Sequence, residues 1–115
     1  MTGREAFLEL LQEREQMARE RLSAATGHQS LCRVPAAAPG PRRSVKYHEG
    51  AAIALADVRR AVRSGADDGL RSAVEAVRTS WLAQAGLPGR SGPAWADYLE
   101  GGLDALSRLE EEDVP

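Results

Sequence analysis

The chain contains little cysteine, few aromatic residues and almost no lysine. A single cysteine, Cys32, excludes an internal disulfide framework and fits a reducing compartment. Aromatic residues make up only 4% of the 115 residues, so few large side chains are available to anchor a core. Lys46 stands alone beside 14 arginines, and alanine is abundant. This bias is typical of GC-rich bacterial genes, and we expect a bacterial origin.

Long apolar runs and alternating β-branched residues are also absent. No stretch approaches the roughly 20 apolar residues that a membrane-spanning helix needs. The acidic start of the chain lacks the basic and apolar regions of a signal peptide. We therefore expect a cytoplasmic protein with no membrane partner. The lack of alternation argues against a β-sheet, while 43% hydrophobic and 28% charged residues are ordinary for one globular domain.

Helical periodicity is what the sequence does show. Apolar residues recur at helical spacing in four segments, at about 4–26, 45–64, 68–85 and 93–112. Ser44 is suited to cap the second segment and Asp67 or Asp68 the third, while Pro93 suits the first turn of the fourth. The predicted fold is all-α, an antiparallel four-helix bundle.

One segment between the helices differs in composition from the rest. Residues 27–43 include Pro35, Pro39 and Pro41, which predicts an extended linker after the first helix. We expect a single helical domain in which this linker joins the first helix, 4–26, to a three-helix core, 44–113.

A short phrase occurs twice in the chain. "YHEGAAIALADV" begins at Tyr47 and "YLEGGLDALSRL" at Tyr98, with Tyr, Glu, Gly, Ala and Leu in the same register. Glycine inside a helix is unfavourable by about 1 kcal/mol relative to alanine, so a glycine on an apolar face needs a packing reason. We predict that close helix crossings lie at the tyrosine, glycine and alanine of each phrase: Tyr47, Gly50, Ala54, Tyr98, Gly101 and Ala105.

Two explanations for the repeated phrase stay open. A duplicated helical hairpin would relate residues 4–64 to residues 68–112 by a pseudo-two-fold axis. Alternatively, two unrelated helices meet the same packing demand and arrive at similar residues. The upstream match between the halves consists of apolar residues alone, and these coincide easily at helical spacing.

The sequence offers no catalytic or metal-binding constellation. His48 and Glu49 resemble the start of a zinc-protease motif, but Ala52 stands where the second histidine is required. Cys32 lies in the Pro-rich segment, away from any helix start that would lower its pKa. We predict no catalytic residue, no metal and no cofactor. An enzyme or cofactor-binding bundle remains a third alternative.

Charge is distributed unevenly along the chain. Residues 33–71 hold eight basic and four acidic side chains, while residues 97–113 hold one basic and seven acidic. The alternative function is therefore a nucleic-acid-associated regulator that uses the basic region 42–63. A net charge of −2 and the lack of an evident recognition helix argue against it. The candidate phosphate contacts are Arg42, Arg43, Arg59, Arg60 and Arg63.

The first helix has a wider apolar surface than one bundle contact requires. Ala6, Leu10 and Met17 form an arc beside its main stripe. Polar residues 12–16 argue against a long coiled coil and favour a helix-swapped dimer or a docking helix. We predict a partner interface at Phe7, Leu10 and Met17. The favoured function is a small helical interaction or regulatory protein that acts by helix-mediated contact with a protein partner or with itself, as a homodimer.

Overall fold

The computed structural model describes residues 3–26, 44–65, 69–87, 89 and 92–112, and this part of the chain holds four helices and no strand. The all-α prediction is confirmed. The predicted linker at 27–43 lies outside the described residues. None of the four helices is long and apolar enough to cross a bilayer. The helices are α1 (Gly3–Ala25), α2 (Val45–Ser64), α3 (Leu70–Gln84) and α4 (Pro93–Glu111).

The helix starts follow local chemistry in two cases and depart from it in a third. The Ser44 hydroxyl accepts a hydrogen bond from the Tyr47 backbone amide at 3.2 Å, which satisfies one of the unpaired amides of α2. Pro93 occupies the first turn of α4. The third helix begins later than expected, with Gly69 in the capping position and no side-chain bond. The predicted caps, Asp67 and Asp68, lie outside the described residues.

The core gathers one apolar stripe from each helix. Helix α2 contacts all three other helices, most extensively α4. Helix α3 buries Leu70, Val74, Val77 and Trp81, and Trp81 is the largest fully buried side chain among the described residues. The core cluster consists of Phe7, Leu11, Ala18, Ala54, Leu55, Val58, Val62, Leu70, Val74, Val77, Trp81, Leu99, Leu106 and Leu109.

The first helix packs on its own chain through this core. Phe7 is only 3% exposed and Leu11 is fully buried, and both belong to the core cluster. The helix that α1 contacts most extensively is α2. Phe7 is therefore buried within its own chain in this arrangement, and the partner interface at Phe7, Leu10 and Met17 stays a prediction. The reason for the burial of Phe7 is its helical register, since it lies on the same stripe as Leu11 and Ala18.

Candidate functional site

The two repeated phrases contact each other where α2 crosses α4. A Cβ atom at Gly101 would lie 2.7 Å from the carbonyl carbon of Tyr47 and closer still to its oxygen. A Cβ atom at Gly50 would lie 2.9 Å from the carbonyl carbon of Tyr98. Each glycine therefore lies against the backbone of the tyrosine at the start of the other phrase. The contact is reciprocal, and side chains larger than hydrogen have no room there.

The glycine that follows Gly101 has a different role. A Cβ atom at Gly102 would lie 2.5 to 2.7 Å from carbons of the Trp81 ring, so this position admits a side chain from α3 rather than a backbone. Trp81 is 1% exposed, stacks on Tyr98 with ring centroids 5.1 Å apart, and donates from Nε1 to Asp57 at 3.0 Å. The Gly-Gly pair thus lets α4 approach α2 and α3 together.

The two tyrosines occupy different environments despite their matching register. Tyr47 is buried, and its hydroxyl donates to Asp104 Oδ2 at 2.7 Å. Tyr98 is half-buried between two tryptophans, stacked on Trp81 and edge-on to Trp95 at 5.4 Å. Ala54 is fully buried beside the crossing, whereas Ala105 is half-buried. The matching phrases therefore share a backbone contact but not their side-chain chemistry, and whether they are a duplication stays a prediction.

A cleft opens where α1, α2 and α4 meet. Its apolar wall is built from small and branched side chains, Ala18, Ala51, Leu55, Ala105 and Leu109, with Met17 at one side. Tyr47 and His48 line its continuation, which has a volume of about 460 Å³. Small residues from three helices meet here because larger ones would keep the helices apart.

Three arginines surround this cleft. Arg14 and Arg21 come from α1 and Arg108 from α4. Arg14 forms an ion pair with Glu112. Arg21 and Arg108 are exposed and form no ion pair with any residue that the structure describes. The cleft therefore combines an apolar wall with two arginines at its edge that pair with no carboxylate among the described residues. Sequence patterns did not indicate it, because its residues are distant in the chain.

A buried ion pair joins α1 to α2 on the other side of α1. Glu15 is only 3% exposed, and its two carboxylate oxygens accept from Arg59 Nε at 2.8 and 3.1 Å. This burial was not predicted, because Glu15 lies in an entirely polar run, residues 12–16. A helical wheel does place position 15 beside Leu11 and Ala18, which is the signal that would have identified it.

The arginines predicted to contact phosphate differ in whether they already form ion pairs within the chain. Arg59 is occupied by Glu15, and Arg60 forms an ion pair with Asp57 one turn earlier. Arg63 is exposed beside the Glu15–Arg59 pair. Arg42 and Arg43 lie outside the described residues. Two of the three described arginines are thus neutralised within the chain, which weakens the case for a phosphate-binding surface.

The described residues contain no cluster of side chains that could hold a metal ion. Among 3–26, 44–65, 69–87 and 92–112, no group of three or more His, Asp or Glu side chains is close enough to hold a metal ion. His48 is half-buried, and its ring meets that of Tyr47 edge-on at 5.5 Å. Every buried side-chain nitrogen or oxygen in this part of the chain has a hydrogen-bond partner.

Comparison with protein-family models, with curated proteins and with solved structures finds no match to this chain.

Proposed function

We propose that this chain is a helical protein–protein interaction module that acts by helix-on-helix contact and self-associates through α1. The observation that carries the proposal is the apolar surface left on α1 after its core stripe is satisfied. Phe7, Leu11 and Ala18 are buried inside the chain, yet Met17 remains 36% exposed at the edge of the cleft. Leu10 packs partly against the core, and its exposed part continues this surface toward the exposed Ala6.

The arrangement of the other helices leaves this surface accessible. Helices α2 and α4 run in opposite directions, because Tyr47 meets Gly101 whereas Gly50, farther along α2, meets Tyr98, which is earlier on α4. We extend this arrangement to the other helices and take the four as an antiparallel bundle. The contacts of α1 are mainly with α2, so the face of α1 turned away from α2 carries no other helix among the described residues. The predicted linker at 27–43 allows α1 to pack on its own core or to exchange with a neighbour.

The role we propose is that of a bacterial cytoplasmic protein without enzymatic activity. A nucleic-acid-binding role is less well supported, because Arg59 and Arg60 already pair with carboxylates. Interaction surfaces of helical proteins are commonly built from one partly exposed apolar strip with charged flanks. The outer surface of α1 has that composition.

Sedimentation velocity of the full chain from about 1 to 100 μM tests the proposal, with self-association expected in this range for a modest interface. Met17→Glu should shift the chain toward monomer, because a charge would be buried in an apolar contact. Ile53→Glu on α2 is the matched control, since Ile53 is 37% exposed, almost the same as Met17. A wild-type chain that stays monomeric throughout, or equal effects of the two substitutions, would refute the proposal.

A further inference from the structure

The outer surface of α1 carries three parallel strips. At about 100° per residue, Ala6, Leu10 and Met17 share one direction, which we call the outer arc. The acidic edge, Glu9, Glu13 and Glu20, lies roughly 40–80° to one side of Met17. The basic edge, Arg14 and Arg21, lies roughly 40–60° to the other side, toward the cleft.

Most members of these strips are accessible. Glu9, Glu13 and Glu20 are exposed, and so are Arg21 and Met17. Glu20 accepts a hydrogen bond from Gln16, and Arg14 pairs with Glu112. Arg108 lines the same cleft as Arg14 and Arg21, and thereby adds a positive charge from α4 to the basic side.

The order of the strips determines how two copies of α1 can meet. With a two-fold axis parallel to the helices, each copy turns its acidic edge toward the basic edge of the other. If the two-fold axis is instead perpendicular to the two helices, the helices run in opposite directions. The acidic edge of one copy then meets the acidic edge of the other, and the basic edges meet likewise. In a two-fold interface, if a residue of one copy contacts a second residue of its partner, the reverse contact forms as well. Off the axis, the parallel arrangement therefore forms two acid–base contacts, whereas the antiparallel arrangement brings like charges together, which is unfavourable.

We propose that the partner of this surface is the α1 helix of a second copy, docked in the same direction about a two-fold axis parallel to the helix. The two outer arcs meet at the centre, with Met17 against Met17 of the other copy. Glu13 and Glu20 of each copy face Arg14, Arg21 and Arg108 of the other. This inference rests on the proposed self-association and adds its partner, its direction and its charge pairing.

Charge reversal on the full chain tests the edges. One variant combines Glu13→Arg with Glu20→Arg, and the other combines Arg14→Glu with Arg21→Glu. Each alone should weaken the wild-type self-association by about ten-fold or more, because both of its edges then carry the same sign. An equimolar mixture of the two should regain it as a heterodimer. Unchanged self-association of either variant, or no recovery in the mixture, would overturn the charge pairing.

Two controls separate edge effects from loss of structure. Glu75→Arg reverses an exposed charge on α3, away from the cleft, and should leave self-association unchanged. Arg21→Glu alone keeps the Arg14–Glu112 pair, so it still tests the basic edge if the double variant does not fold. Helix content and melting temperature of every variant are measured by circular dichroism beside the sedimentation data.

Disulfide trapping tests the direction. In a Cys32→Ser background, Met17→Cys should form a disulfide-linked dimer on mild oxidation, and so should Leu10→Cys, because parallel helices place each residue next to its own copy. Ile53→Cys is the control and should stay monomeric. Efficient linkage only in a mixture of the Leu10→Cys and Met17→Cys chains would show opposite directions and overturn the proposal. If Met17→Glu abolishes association while the edge reversals have no effect, the proposed function stands and this inference fails.

Discussion

Helix α2 is held by two neighbours in opposite ways. Where α2 crosses α4, Gly50 lies against the backbone of Tyr98, and Gly101 of α4 lies against the backbone of Tyr47. The two backbones are in direct contact there, with no side chain between them. Toward α1, helix α2 offers Arg59, which reaches a buried carboxylate on Glu15, so that long side chains fill the space between the helices. The α2–α4 contact depends on the absence of side chains at two glycines, whereas the α1–α2 contact includes an ion pair.

The difference predicts how each contact responds to change. A backbone crossing cannot yield to added volume, because a shift of one helix moves every other contact of that helix. A side-chain contact can repack, but an ion removed from a buried pair leaves its partner uncompensated. The α2–α4 crossing should therefore be most sensitive to added atoms, and the α1–α2 contact most sensitive to lost charge.

The largest effect is expected at the crossing. Gly101→Ala and Gly50→Ala should each lower the free energy of unfolding by about 2–3 kcal/mol, because the added methyl group meets a backbone carbonyl. Gly86→Ala is the control, since its Cβ would lie 3.8 Å from Ala83 O, an ordinary van der Waals distance. Urea denaturation measures the free energy of unfolding of the wild type, the two crossing variants and the control. Equal stability of wild type and both crossing variants would contradict a close approach here.

A smaller effect is expected at the ion pair. Arg59→Met should lower the free energy of unfolding by about 2 kcal/mol, less than for a fully buried pair because the Arg59 side chain is 28% exposed. Adding Glu15→Leu to Arg59→Met should recover most of this loss, since no charge is then left buried. Arg63→Met, one turn later and exposed, serves as the control. A double variant no more stable than Arg59→Met would count against this account.

The smallest effect is expected at the hydrogen bond beside the crossing. Tyr47→Phe removes the donor to Asp104 without changing the packing of the ring, and should lower the free energy of unfolding by about 1 kcal/mol. Asp104→Asn retains an acceptor and should have a smaller effect. If thermal melts show that Tyr47→Phe lowers stability as much as Gly101→Ala does, the crossing depends on the Tyr47 hydroxyl rather than on the absence of side chains at the two glycines.

Much of the fold was predictable from residues that act locally. Helical periodicity, the Ser44 cap and Pro93 gave the helix positions to within a few residues, because these signals depend on neighbours in the chain. Gly50 and Gly101 were identified as crossing positions because glycine on an apolar helix face is unusual. The late start of α3 at Leu70 was missed, since a cap without a side-chain bond leaves no signature.

By itself, the sequence determined that the chain is helical, which faces are apolar and where the helices lack side chains. Each of these follows from spacing along a single helix, where the period of about 3.6 residues is fixed. Only the tertiary structure decided that each of the two glycines contacts the tyrosine backbone of the other phrase. It also decided that Glu15 is buried against Arg59 and that three arginines surround one cleft. These features join residues from different helices, and their pairing depends on how the helices pack, which periodicity within one helix does not specify.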